Sequence, residues 1–180
     1  RGFITAAILL ATILPGNAAP PGATPLSPPA PPKSIAPHVP ANWKVGVATA
    51  TVTPKKMIFM AGYASRNKPA EGKVQELFAK ALAIEDATGA TVVLVTLDLI
   101  GVPKPLREAV EKRVLTRHQL RPESVLLNAS HTHSGPSLYG RGVGDPAFVE
   151  KANAYSRLLE EKVGRVIDDA LARREPVTLQ

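Results

Sequence analysis

"TVVLVTLDLIGV", residues 91–102, is an almost unbroken run of β-branched residues and leucine carrying one charge, Asp98. A run of this kind predicts a strand covered on both faces, as strands of parallel sheets are. Pro103 and Pro105 come next and predict the opening turn of a helix, where a missing N–H costs little. Leu106, Val110 and Val114 then recur every four residues as an apolar stripe, while Arg107, Glu108, Glu111, Lys112 and Arg113 take the wet side. The pattern fades at Arg117 and His118, a place where a cation favours a helix C-terminus, so His118 reads as structural. Beyond Arg121-Pro122, "ESVLLNAS" (123–130) predicts another buried strand. Strand, helix and strand in succession predict a right-handed crossover between parallel strands.

The same reading extends outward from this unit. Upstream, "WKVGVATATVTP" (43–54) and "AKALAIEDATG" (79–89) predict strands, the second closed by a Thr88-Gly89 turn. Downstream, Asp145 and Pro146 open a long helix in which Phe148, Ala152, Tyr155, Leu159, Val163, Val166 and Ala170 repeat at steps of three and four. "EPVTLQ" (175–180) starts a further strand, which predicts a domain truncated at the C-terminus and hence a fragment. The expected fold class is α/β: a mixed, largely parallel sheet with flanking helices, spanning 43–180.

Residues 1–42 read differently. "RGFITAAILLATILPGNAA" (1–19) has a basic start, an apolar run from Phe3 to Leu14, a Pro-Gly break and small residues at its end. This is the layout of a secretory signal peptide, and the run is shorter than the roughly 20 residues of a membrane span. Export, to the periplasm or outside the cell, is therefore expected. The proline-rich stretch 20–42 cannot form a helix or a central strand and predicts an exposed spacer. The chain has no cysteine, which removes disulfides and thiolate ligands from consideration. Its net charge of +7 is spread along helical faces without an arginine-rich run or interleaved aromatics. That distribution argues against nucleic acid and fits contact with an anionic membrane surface better.

Chemistry concentrates in "SHTHSGP", residues 130–136, which leaves the strand ending near Ala129. Ligands of open α/β sheets bind beyond the carboxyl ends of parallel strands, and Asp98 ends the neighbouring predicted strand. In extended backbone His131 and His133 would point to one side, as i and i+2 residues do. Two imidazoles suit zinc, whose catalytic sites use three protein ligands, so Asp98 is a candidate third ligand or an orienter of a histidine. Ser130 and Ser134 adjoin the histidines, but the Gly-x-Ser-x-Gly elbow of a serine hydrolase is absent. From the residues alone, a metal site, a serine nucleophile and a hydrogen-bonded polar turn all stay open.

"NASHTHSGP" (128–136) resembles the histidine motif of the neutral/alkaline, non-lysosomal ceramidase family. In the same order, "VGVATATVTP" (45–54), "MAGYASR" (60–66), "LFAKALAIED" (77–86) and "VVLVTLDLIG" (92–101) are similar to segments near the start of that family's catalytic domain. The resemblance implies a zinc-dependent amidohydrolase that splits the N-acyl amide of ceramide or a related lipid into fatty acid and sphingoid base. It implies Zn(2+) bound by His131, with His133 beside the metal as the catalytic residue. Ser134 and Gly135 are then candidates to orient the ligands or to form the turn alone, and Arg66 to meet a polar headgroup in the pocket or, as a loop arginine, to face solvent. Further ligands would lie beyond Gln180, and the 180 residues alone are expected to be inactive. Many members carry a histidine where this chain has Val74 or Gln75, which leaves room for another amide or ester as substrate. A secreted, non-catalytic domain on the same scaffold is the third expectation.

Overall fold

The computed structural model describes residues 43–141 and 144–178. The signal peptide expected at 1–19 and the spacer expected at 20–42 lie outside the described residues. The elements are β1 (Trp43–Thr51), β2 (Phe78–Glu85), β3 (Thr91–Leu97), α1 (Lys104–His118), β4 (Val125–Ala129), α2 (Pro146–Ala172) and β5 (Glu175–Val177), with a single 3-10 turn at Pro122–Ser124 before β4. They build one five-stranded sheet in the order β4-β3-β2-β1-β5.

The expectation of a largely parallel sheet is corrected. Only β3 and β4 run parallel, joined by the α1 crossover, whereas β1–β2, β2–β3 and β1–β5 are antiparallel. Antiparallel neighbours can be joined by a tight turn, and the connection between β2 and β3 is one. Asp86 Oδ1 accepts from Thr88 N at 2.8 Å and Ala90 N at 2.9 Å, and Gly89 takes φ +87°. This turn reverses the chain and fixes the strands as a hairpin.

Burial is also one-sided. Ala48, Ala79, Ala81, Ala83, Val93, Val95 and Leu97 lie in register on one face and join Leu106, Val110 and Val114 of α1 and Tyr155, Leu159, Val163, Val166, Ile167 and Ala170 of α2 in a single core. The division of labour follows side-chain size. Alanines and Gly46 of β1 and β2 let α2 come close, while the larger valines and leucine of β3 extend the same core. The opposite face carries Val45, Ile84 and Val92 in one row and Val47, Leu82, Leu94 and Leu126 in the next. Val47 keeps 63% and Leu126 61% of its surface exposed. Thus β3 and the edge strand β4, expected to be buried on both faces, are covered on one among the described residues.

Both helices begin and end as their sequences predict. Pro103 and Pro105 sit at the start of α1, and Asp145 Oδ1 caps α2 by accepting from Ala147 N at 2.8 Å. His118 is the last residue of α1, and its Nε2 lies 2.7 Å from Asp168 Oδ1 on α2. Arg113 Nη2 donates to Asp168 Oδ2 at 2.5 Å, crossing α2 over Gly164, where a Cβ would stand 2.3 Å from Arg113 Cδ. Burial opposes ionisation of Asp168, but the hydrogen bonds from Arg113 and His118 and the charges of Arg113 and Arg117 outweigh it and hold the carboxyl below its usual range. A carboxyl lowered in the folded state stabilises above the ordinary carboxylate range and loses that contribution as pH falls through it. Asp168→Asn is therefore expected to lower Tm at neutral pH and to flatten the fall of Tm on acidification, a pair of melting series that shows no change if the α1–α2 clamp carries no stability.

Candidate active site

Four chain ends meet at one edge of the sheet. Thr51 pairs with Phe78 and Ala79 with Leu97, while Leu97 pairs with Ala129, so β1, β3 and β4 all deliver their C-terminal ends where β2 begins. The segment 52–77 and the loops after β3 and β4 therefore share this edge. Backbone bonds sew them together: Ser130 N donates to Leu97 O, Thr132 N to Leu99 O, Ala61 N to Gly135 O and Ser137 N to Phe59 O, at 2.9, 3.2, 3.0 and 2.7 Å. Met60 and Pro136 form an isolated antiparallel bridge beside them.

The structure brings His131 and His133 together, though not through the alternation of a strand. β4 stops at Ala129, and His131 adopts φ +57°, a left-handed backbone that few side-chain-bearing residues take outside tight turns and functional sites. The kink sets the two rings edge to face with centroids 5.1 Å apart. His131 is exposed, and its Nδ1 lies 2.7 Å from the carbonyl oxygen of Ile100, which holds that nitrogen as N–H and leaves Nε2 as the acceptor. His133 is half-buried, and among the described residues its buried Nδ1 has no hydrogen-bond partner.

Asp98 stands elsewhere in the arrangement. Its Oδ2 accepts from Phe78 N at 2.9 Å and so ties β3 to the start of β2. The group that orients His131 is the Ile100 carbonyl, two residues further on. Ser134 is exposed, with its N–H donating to Thr132 Oγ1 at 3.1 Å in a turn. Gly135 is buried against β3, where a Cβ would lie 3.2 Å from Asp98 O. Arg66 does not point free into solvent: Nη1 donates to the carbonyls of Ala61 and of His133, the latter at 2.6 Å, and the guanidinium lies 4.8 Å from the Tyr63 ring centroid. Sequence reasoning missed Gly62 and Tyr63. Gly62 has φ +111° and lies under the His133 ring, and Tyr63 meets that ring edge to face at 4.9 Å. The Gly-Tyr pair in a loop was the available signal.

A groove of about 430 Å³ opens alongside, lined by Met57, Ile58, Leu77 and Pro136 together with Thr132 and Ser134 of the histidine loop. Residues 43–143 match the family described as neutral/alkaline non-lysosomal ceramidase, N-terminal. The chain belongs to this family.

Among its ceramidase relatives are the neutral ceramidases of Drosophila pseudoobscura pseudoobscura, 33% identical over 100 residues, and Drosophila melanogaster, 33% identical over 102. These matches cover 53% and 54% of this chain. The neutral ceramidase crystal structure from Pseudomonas aeruginosa superposes with a TM-score of 0.66 at 27% identity over 76% of the chain. A ceramidase complexed with C2 gives 0.60 at 25% identity, again over 76%. The chain spans 14% of the length of the Drosophila ceramidases and 22% of that of the two solved ones.

The donor chemistry of this ceramidase-family site fits one ligand of a metal centre. An imidazole whose Nδ1–H is held by a backbone carbonyl presents Nε2 for coordination, and the backbone carbonyl is a usual partner for that purpose. Among the described residues no group of three or more His, Cys, Asp or Glu comes together to hold a metal. Three protein ligands are the norm for catalytic zinc, so a metal held through His131 would require donors beyond the described residues.

Proposed function

We propose that the full-length protein is an exported, zinc-dependent amidohydrolase that cleaves the N-acyl amide of ceramide or a related lipid into a fatty acid and a sphingoid base. One observation carries the reading: His131 is exposed and Ile100 holds its Nδ1 at 2.7 Å, which leaves Nε2 as the nitrogen that can coordinate. In this reading His131 is a metal ligand and His133 the catalytic residue beside it. Zinc, when bound, supplies Lewis acidity that polarises a carbonyl and acidifies water.

The chain's own residues have separable tasks. His133 donates a hydrogen bond to the oxygen on which charge develops, or a proton to the departing amine. Gly135 packs the loop onto β3 and so fixes the height of both histidines above the sheet, while the Ser134 N–H to Thr132 Oγ1 bond closes the turn. The apolar wall of Met57, Ile58 and Leu77 suits the hydrocarbon part of a lipid amide. Export is supported by the layout of residues 1–19, and contact with an anionic membrane surface by the net charge of +7.

Metal analysis of the full-length protein and fatty-acid release from labelled ceramide test this. The expected result is about one catalytic zinc per chain and release that stops on chelation. A metal-free protein without hydrolysis would sink the reading. A second reading, a metal hydrolase acting on another amide or ester, is favoured by Val74 and Gln75, which line the groove near the position where the family resemblance implies a histidine. Zinc together with cleavage of a simple amide or ester, and none of ceramide, would select it.

A further inference from the structure

Arg66 has an unusual set of partners. Its Nη1 bridges two carbonyls, of Ala61 on its own loop and of His133 sixty-seven residues away, and its plane lies 4.8 Å from the Tyr63 ring. Among the described residues no carboxylate pairs with it in an ion pair. A guanidinium has five donors in a rigid fork and does not deprotonate, so it holds carbonyl oxygens at fixed separation at any working pH. The carbonyl it holds belongs to His133 itself. From the same loop, Tyr63 packs against the His133 ring at 4.9 Å, and Gly62 lies so close that a Cβ would stand 2.7 Å from the ring's Cβ and Cγ. Loop 61–66 therefore grips His133 by main chain, ring face and ring edge. His131, in contrast, is anchored independently through Ile100.

We infer that Arg66 is a positioning residue for His133, holding its peptide so that the Gly62-Tyr63 wall fixes the ring's direction. The inference rests on the amidohydrolase reading for its catalytic consequence, but the placement of the ring is testable without it. It differs from the expected role of Arg66 as a headgroup contact in that the Nη1 donors are committed to backbone carbonyls.

The test compares wild type, Arg66→Gln and Arg66→Lys in the full-length protein. Zinc content is expected to stay unchanged in all three, because the His131 anchor is separate. For labelled ceramide, kcat is expected to fall ~10–100-fold in Arg66→Gln, the usual cost of losing an outer-sphere partner, with KM unchanged and partial recovery in Arg66→Lys. The same kcat loss is expected for an N-acyl anilide that lacks the sphingoid hydroxyls. A crystal structure of Arg66→Gln should show the His133 ring displaced and His131 in place. A His133 ring that stays put overturns the inference even if the protein proves to have no hydrolase activity. A rise in KM confined to ceramide, with kcat intact, overturns it in favour of direct headgroup contact. Wild type without zinc or hydrolysis would instead bring down the function proposed above, leaving the ring position as the readout for Arg66.

Discussion

Replacing His131 with alanine in the full-length protein is expected to remove zinc and amide hydrolysis together. Loss of an outer-sphere partner alone costs about 10–100-fold, and removing the ligand itself should exceed ~100-fold in activity. The companion variant is His118→Ala. His118 bonds Asp168 at the end of α1, away from the sheet edge that carries the site, so that variant is expected to keep its metal. Unchanged zinc stoichiometry in His131→Ala would show that the Ile100-held imidazole is a turn element and no ligand. A further contrast separates ligand from fold: the alanine variant should retain its circular dichroism spectrum, since His131 is exposed and contributes little packing.

The second large effect is expected from one added methyl group at Gly46. A Cβ there would lie 2.0 Å from the carbonyl oxygen of Ala170, 2.9 Å from Arg174 N and 3.0 Å from Arg173 C. All three are main-chain atoms at the end of α2 and cannot swing aside as a side-chain tip can. Gly46→Ala must therefore push α2 off β1 or bend the strand, at a cost of about 3 kcal/mol, the upper part of the overpacking range. Denaturant melts read this directly. Gly72→Ala is the comparison, because nothing lies within 4 Å of its Cβ position, and it should melt with wild type. Equal stability of the two variants would mean that the β1–α2 contact is looser than the structure shows.

The elements themselves were legible in the residues. Period-four stripes placed α1 and α2, Asp145 announced its cap, and Thr88-Gly89 announced the turn that makes β2 and β3 a hairpin. Pairing sense was not legible from "VVLVTL". Val93, Val95 and Leu97 face the core while Val92, Leu94 and Thr96 face outward, yet five of the six letters are apolar, so the period of two is hidden. A chain patterned this way reads as doubly covered whether or not a cover is present. In the site, the proximity of His131 and His133 followed from their spacing, but the kink that produces it did not, because a left-handed φ at histidine leaves no letter behind. The orienting group was out of reach for a related reason: a backbone carbonyl such as that of Ile100 is the same atom in every residue. Asp98, the one charge in its run, follows β3 directly, and its Oδ2 accepts from Phe78 N, a tie to β2 that local reading does not disclose. Arg66 could not be joined to His133 by local reading across sixty-seven residues.

The open side of the sheet has a practical consequence. Among the described residues, Val45, Val47, Leu82, Ile84, Val92, Leu94 and Leu126 share the side away from both helices, and Val47, Val92, Leu94 and Leu126 are exposed there. Contiguous apolar surfaces of several hundred Å² are rarely tolerated by free monomers. A recombinant polypeptide limited to these 180 residues should accordingly behave as a sticky colloid, recovered from inclusion bodies or in detergent, and its purification history would say more about this plane than about the chemistry at the sheet's edge.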